Sequence, residues 1–109
     1  MPMNGVTTRY DDAGYPSAAT HTAAVAAGAG TTVIKASPGR LLRAVLTTAG
    51  TATDNITVVD NASTNSGTVL GVILGGGTVG TVYTFDLPAV NGITAVNVSG
   101  GPAATFSYA

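Results

Sequence analysis

The chain has 109 residues, enough for one domain with a single modest core. Only 8% of its residues are charged and its formal net charge is −1, so it lacks the basic surface that nucleic-acid binding requires. It has no Cys, which excludes disulfides, thiolate metal ligands and cysteine nucleophiles.

The composition favours β structure over helix. The chain has 15 Gly, is rich in Thr and Val, and contains no Glu. β-Branched side chains suit a pleated strand, and Gly supplies turns. The sequence therefore predicts an all-β domain. Its mean hydropathy of +0.38 leaves a poor surface for a free monomer, so we expect a partner to cover part of it.

Residues 1–16 have no sustained hydrophobic period, and they predict an extended N-terminal arm outside the folded domain. A frayed terminus is the alternative. Two tyrosines favour the arm, because they can anchor a segment on a neighbouring protein. We expect the arm to order only against another copy or the surface beneath it, through Arg9, Tyr10, Asp11, Asp12 and Tyr15. No signal peptide or membrane span is recognisable, which predicts synthesis in a cytoplasm.

Residues 17–109 contain short apolar runs separated by turn residues. The predicted strands lie within 19–28, 31–36, 39–48, 55–60, 67–74, 81–87, 91–98 and 104–108. The stretches GGGTVG (75–80) and SGGP (99–102) predict hairpin loops between neighbouring strands. About eight short strands at this spacing predict an antiparallel β-sandwich or jelly roll.

Two of these strands have apolar residues on both faces. Strict alternation puts Leu41 and Val45 on one face of their strand, and Val69 and Ile73 on one face of theirs. A sheet with one solvated face should not have this pattern. We expect a homo-oligomer interface that includes these four residues. Apolar residues scattered on an ordinary surface are the alternative.

The motifs that suggest chemistry are weak. GGGTVG has the spacing of a dinucleotide fingerprint, but a strand-like run follows it where a helix is required. His21 is the only histidine, and no carboxylate lies near it in the sequence. DNASTN (60–65) is rich in oxygen atoms but lacks the ordered acidic positions of a calcium loop. We therefore predict no catalytic residue, no cofactor and no metal.

Three stretches resemble small virion proteins of tailed bacteriophages. They are IKASPGRLLRAVLTTAG, ITVVDNASTNSGTVLGVIL and FDLPAVNGITAVNVSGGPAATFSYA, which lie within residues 31–109. The resemblance implies a structural protein that decorates or cements the capsid surface, or one of the neck, tail or fibres. It implies as partners a second copy, in a trimer by analogy with capsid decoration proteins, and the major capsid protein or another virion protein. A receptor- or carbohydrate-binding module and an enzyme are the competing interpretations.

Overall fold

The computed structural model describes residues 21–109, which form eight strands and no helix. In chain order these are β1 (His21–Val25), β2 (Thr31–Lys35), β3 (Gly39–Thr48), β4 (Ile56–Asp60), β5 (Thr68–Ile73), β6 (Val82–Ala89), β7 (Ile93–Val96) and β8 (Ala103–Tyr108). The prediction of an all-β domain with about eight strands is confirmed. Residues 21–109 therefore offer no helix that could span a membrane. The predicted arm lies outside the described residues.

The strands form two antiparallel sheets of four strands each. Sheet A has the order β1-β8-β3-β6, and sheet B has the order β2-β7-β4-β5. The pairs β1–β8, β2–β7, β3–β6 and β4–β5 are those of one long hairpin folded back on itself. This winding is that of a jelly roll, one of the two architectures that the sequence predicted.

The winding changes the role of most turns. Within residues 21–109, β4–β5 is the pair of consecutive strands that lies in one sheet, so the loop 61–67 closes a true hairpin. The stretches 75–80 and 99–102 connect strands of opposite sheets. The prediction that these two stretches are hairpin loops is wrong. They are turns, but they carry the chain across the sandwich.

The core lies between the two sheets. Its largest fully buried side chains include Leu41, Leu46 and Phe106 from sheet A and Ile56, Ile73 and Ile93 from sheet B. Burial of one such side chain stabilises the folded state by about 1.5–3 kcal/mol. These residues come from strands far apart in sequence, so the core requires the complete winding.

A β-bulge in β3 inverts the alternation of its side chains. Leu41 pairs with Tyr108 and Arg43 pairs with Ser107, so Leu42 is an extra residue in the ladder. An extra residue shifts the following side chains to the other face. Leu41 is therefore fully buried in the core, whereas Val45 lies on the outer face of sheet A.

A second bulge has the same effect in β5. Val58 pairs with Gly71 and Val59 pairs with Val69, which leaves Leu70 as the extra residue. Ile73 is fully buried, while Val69 is 55% exposed on the outer face of sheet B. The assignment of Leu41 and Ile73 to an oligomer interface is thus corrected, because both side chains fill the core of the chain itself. Val45 and Val69 face outward, and their place in an interface remains a prediction.

Three of the four edge strands are irregular. The edges of sheet A are β1 and β6, and those of sheet B are β2 and β5. The pairings of β2, β5 and β6 each contain a register shift, whereas β1 pairs with β8 without one. Pro88 also lies in β6, where an edge position tolerates the missing N–H group.

One side of the sandwich closes where β5 meets β6. The ring of Phe85 lies so close to Gly71 that a Cβ atom at Gly71 would collide with it. Tyr83 stacks on Phe85 with ring centroids 6.3 Å apart, and its hydroxyl oxygen accepts a hydrogen bond from the N–H of Leu74 at 3.2 Å. Glycine at position 71 is required by this approach of an aromatic ring from the opposite sheet.

We expect Gly71→Ala to destabilise the fold by about 1–3 kcal/mol, because the added methyl group overpacks the contact with Phe85. Phe85→Leu should lose packing by itself, but in the double variant the smaller side chain leaves room for the methyl group. Urea unfolding of the four proteins measures the coupling between the two positions. Strictly additive losses would contradict the direct contact.

Candidate functional site

The outer face of sheet B is apolar and contains no charged residue in its two central rows. Strand pairing places these rows across all four strands: Val33, Thr94, Val59 and Val69 form the first, and Thr31, Val96, Thr57 and Val72 form the second. We call these eight residues the Val/Thr face. A surface that is both β-branched and uncharged is suited to contact with another protein.

Two residues in the middle of this face, Thr94 and Val59, are buried, whereas three valines on its edge strands are open to solvent. Val69 is 55% exposed, Val33 is 43% exposed and Val72 is 38% exposed. Leu74 and Val98, which follow β5 and β7, are exposed as well. Sequence alternation found Val69 but missed Val33. Gly71 inside an otherwise regular strand was the available sign of a bulge.

The outer face of sheet A has a different character. Its centre is a groove of about 340 Å³ whose lining includes Arg43 and the aliphatic side chains of Val45 and Val82. The rest of the lining consists of Thr22, Ala44, Thr105, Phe106 and Ser107. We call this feature the Arg43 groove. This groove could not be predicted from the sequence, because it depends on the bulge after which Arg43 and Val45 face outward.

An ion pair holds the most unusual backbone position of the described chain. Asp86 has a φ of 51°, in the left-handed region that residues other than Gly rarely adopt. Arg40 donates from Nε to Oδ1 of Asp86 at 2.7 Å and from Nη2 to its carbonyl oxygen at 3.1 Å. The carboxylate of Asp86 is thereby engaged at the bulged edge of sheet A.

The carboxylate of Asp60 organises the turn between β6 and β7. It accepts hydrogen bonds from the N–H groups of Asn91 at 2.8 Å, Val90 at 3.0 Å and Gly92 at 3.3 Å. The bonds from Asn91 and Val90, and to a smaller extent that from Gly92, hold the pKa of this carboxyl below its ordinary value, against a weaker opposing effect of burial. Asp60, at the end of β4, thus holds the turn that leads into β7, its neighbour in sheet B.

The rest of the oxygen-rich loop 60–65 is also satisfied internally. Oδ1 of Asn61 accepts hydrogen bonds from the N–H groups of Ser63 and Thr64, and its carbonyl oxygen accepts one from Thr94. Within residues 21–109 no group of three or more His and Asp side chains is placed to hold a metal ion. These contacts support a structural role for the loop.

His21 lies at the start of β1, where its ring stacks on Tyr108 with centroids 5.3 Å apart. No Asp in the described part of the chain is within ion-pair distance of its imidazole. The described residues therefore do not assemble the histidine and carboxylate that a nucleophilic mechanism would need.

The glycine-rich loops meet at the end of the sandwich away from His21. They surround an open pocket of about 540 Å³, lined by Ala27, Gly28, Ala49, Gly50, Thr51, Ser99, Gly100 and Gly101. No charged or aromatic side chain lines it. The stretch 75–80 lies at this end as the crossing from β5 to β6, and no helix follows it, so the geometry of a dinucleotide site does not form here.

The five arm residues assigned to partner binding lie outside the described residues. Val45 lies in the Arg43 groove and Val69 on the Val/Thr face, so the structure places these two predicted interface residues on opposite sides of the sandwich. Comparisons of the chain with protein-family models, with curated proteins and with solved structures found no match. The function must therefore be argued from the surfaces.

We expect the contribution of Asp60 to stability to depend on pH. Its folded pKa is lowered, so this contribution is fully present above the ordinary pKa near 4 and is lost as pH falls through the folded value. At pH 7, Asp60→Asn should lower the melting temperature, because the amide NH₂ opposes the N–H donors of the turn.

The melting difference between the wild type and Asp60→Asn should shrink as the pH is lowered from 5 to about 2. Asp54→Asn is the matched control, because Asp54 lies in the loop between β3 and β4 and the N–H groups of the turn 90–92 donate to Asp60 instead. Melting followed by circular dichroism gives the comparison. A difference that stays constant over this range would contradict the role assigned to the carboxylate.

Proposed function

We propose that the protein is a non-enzymatic structural protein of a tailed-bacteriophage virion that decorates or cements the capsid. The observation that carries this proposal is the Val/Thr face, which has no charged residue and exposes Val33, Val69 and Val72 on the two edge strands of sheet B. The face fits a partner surface of low charge. The resemblance of residues 31–109 to small virion proteins supplies the identity of that partner.

The physical case for a binding face rests on side-chain chemistry. Val33, Val69 and Val72 lose little conformational freedom when covered, because β-branched side chains are already restricted. Covering apolar area stabilises a complex by about 25 cal/mol per Å² before the costs of association. A specific contact of the usual size buries about 800 Å² on each partner, so neighbouring loops or a second copy must contribute beside the face itself.

The fold is compatible with this function but does not select it. Jelly rolls occur in viral capsid proteins, lectins and enzymes, so topology is only an analogy. A neck, tail or fibre protein would use the same kind of face. The position on the capsid surface therefore rests on the resemblance alone.

A carbohydrate- or receptor-binding module is the alternative, and its support is weaker. Sugar sites usually present an exposed aromatic platform. None of the Phe and Tyr side chains within residues 21–109 is exposed, and the open pocket at the glycine-rich end has no aromatic lining. The proposed partners are therefore proteins of the particle and a second copy of this chain.

The location in the particle is tested first. Virions made from the genome that encodes this chain should contain it in many copies, as measured by mass spectrometry of purified particles. Electron microscopy should place its density on the outer capsid surface. Absence from purified virions would overturn the proposal, and density confined to the neck, tail or fibres would overturn the decorating role.

The binding face is tested by charge insertion. Val69→Lys and Val72→Lys should each weaken binding to particles that lack the protein by about tenfold or more, which corresponds to about 1.4 kcal/mol. Melting should be almost unchanged, because both side chains are exposed. Val90→Lys is the matched control, since Val90 is 70% exposed but lies in the turn between β6 and β7. Equal losses in all three variants would contradict a specific Val/Thr face.

A further inference from the structure

The Arg43 groove contains a cation without a counter-charge among the described residues. Three Asp side chains belong to residues 21–109, and none of them lies within ion-pair distance of Arg43. Asp86 is held by Arg40, and Asp60 is held by the turn 90–92. Asp54 lies in the loop between β3 and β4, at the glycine-rich end.

Elimination leaves one source of negative side chains in this chain. The complete sequence has five acidic residues, and the two remaining ones are the adjacent Asp11 and Asp12 of the arm. Tyr10 and Tyr15 flank this pair. A segment with two carboxylates between two tyrosines matches a groove that has one arginine, two valines and several hydroxyl groups.

The position and length of the arm are consistent with this occupant. The described chain begins at His21, directly beside Thr22, which lines the groove. Residues 16–20 join this occupant to His21 and span up to about 17 Å when extended, whereas neighbouring strands are about 4.8 Å apart. This tether is long enough to pass the edge strand β1 and reach the groove of a copy that lies beside it.

We propose that residues 10–15 of one copy occupy the Arg43 groove of a second copy, with Asp11 or Asp12 paired to Arg43 and the tyrosines against Val45 and Val82. A contact between an arm and a groove joins two different surfaces, so it is heterologous and closes a ring when the rotation permits. This geometry accommodates the trimer expected from the resemblance. The proposal rests on the proposed self-association of the chain and does not depend on where the protein lies in a virion.

The test uses cross-linking of the full-length protein in solution, away from any particle. Because the chain has no native Cys, each introduced thiol is unique. Ala13→Cys is made in one preparation and Thr105→Cys, which lines the groove, in another. After mixing and mild oxidation we expect a disulfide-linked pair that contains one chain of each kind, measured by mass spectrometry.

Three further variants make the result specific. Thr57→Cys places the thiol on the Val/Thr face of the opposite sheet and should give little product with Ala13→Cys. Adding Arg43→Gln to the Thr105→Cys chain should reduce the yield about two- to fivefold, as expected for an exposed ion pair. Lys35→Gln removes a cation outside the groove and should leave the yield unchanged.

Three results would overturn the proposal. The first is an equal yield with Thr57→Cys and Thr105→Cys. The second is a yield that does not respond to Arg43→Gln. The third is a disulfide that forms only within one chain when both thiols are placed in the same molecule, which would mean that the arm folds back on its own groove. Because no virion is used, failure here is distinguishable from failure of the capsid assignment.

Discussion

The extra residues Leu42 and Leu70 decide which side chains of this jelly roll face the core and which face solvent. A strand has a side-chain period of two, so one inserted residue exchanges the faces of everything that follows. Without the first insertion, Leu41 and Val45 would share a face, and either the core would lose a leucine or Val45 would be buried. Both outer surfaces described above exist because these two insertions separate buried from exposed positions.

Half of the charged residues in the described chain stabilise particular backbone positions. Arg40 and Asp86 secure a left-handed residue in an edge strand, and Asp60 gathers three N–H groups of a turn. An exposed ion pair contributes little to stability by itself. The pair of Arg40 and Asp86 also holds Asp86 in its strained left-handed conformation. Arg43 makes no ion pair with a residue of 21–109, so its guanidinium is a candidate for contact with another molecule.

Much of the fold could be predicted from the sequence, because the relevant signals are local. Every strand was located to within a few residues, since β-branched runs and Gly or Pro turns are read over short windows. The sheet assignment of each strand could not be read this way. Turns such as 75–80 have the same composition whether they close a hairpin or cross to the other sheet.

The candidate surfaces were predicted less well than the strands. Strict alternation assigned Leu41 and Ile73 to an interface, and it failed because a bulge has no strong signature apart from a glycine such as Gly71. The Val/Thr face and the Arg43 groove each combine residues from four strands that are distant in the chain. Which residues form each of these two surfaces can be determined only when the strand register of both sheets is known.

The irregular edges of β2, β5 and β6 have a consequence for how one molecule of this chain can contact another. A chain so rich in β-formers and so poor in charge would, with straight edges, offer templates on which sheets extend from molecule to molecule without limit. The register shifts interrupt those templates at three of the four edges, so extension of the sheets from one molecule to the next is disfavoured there.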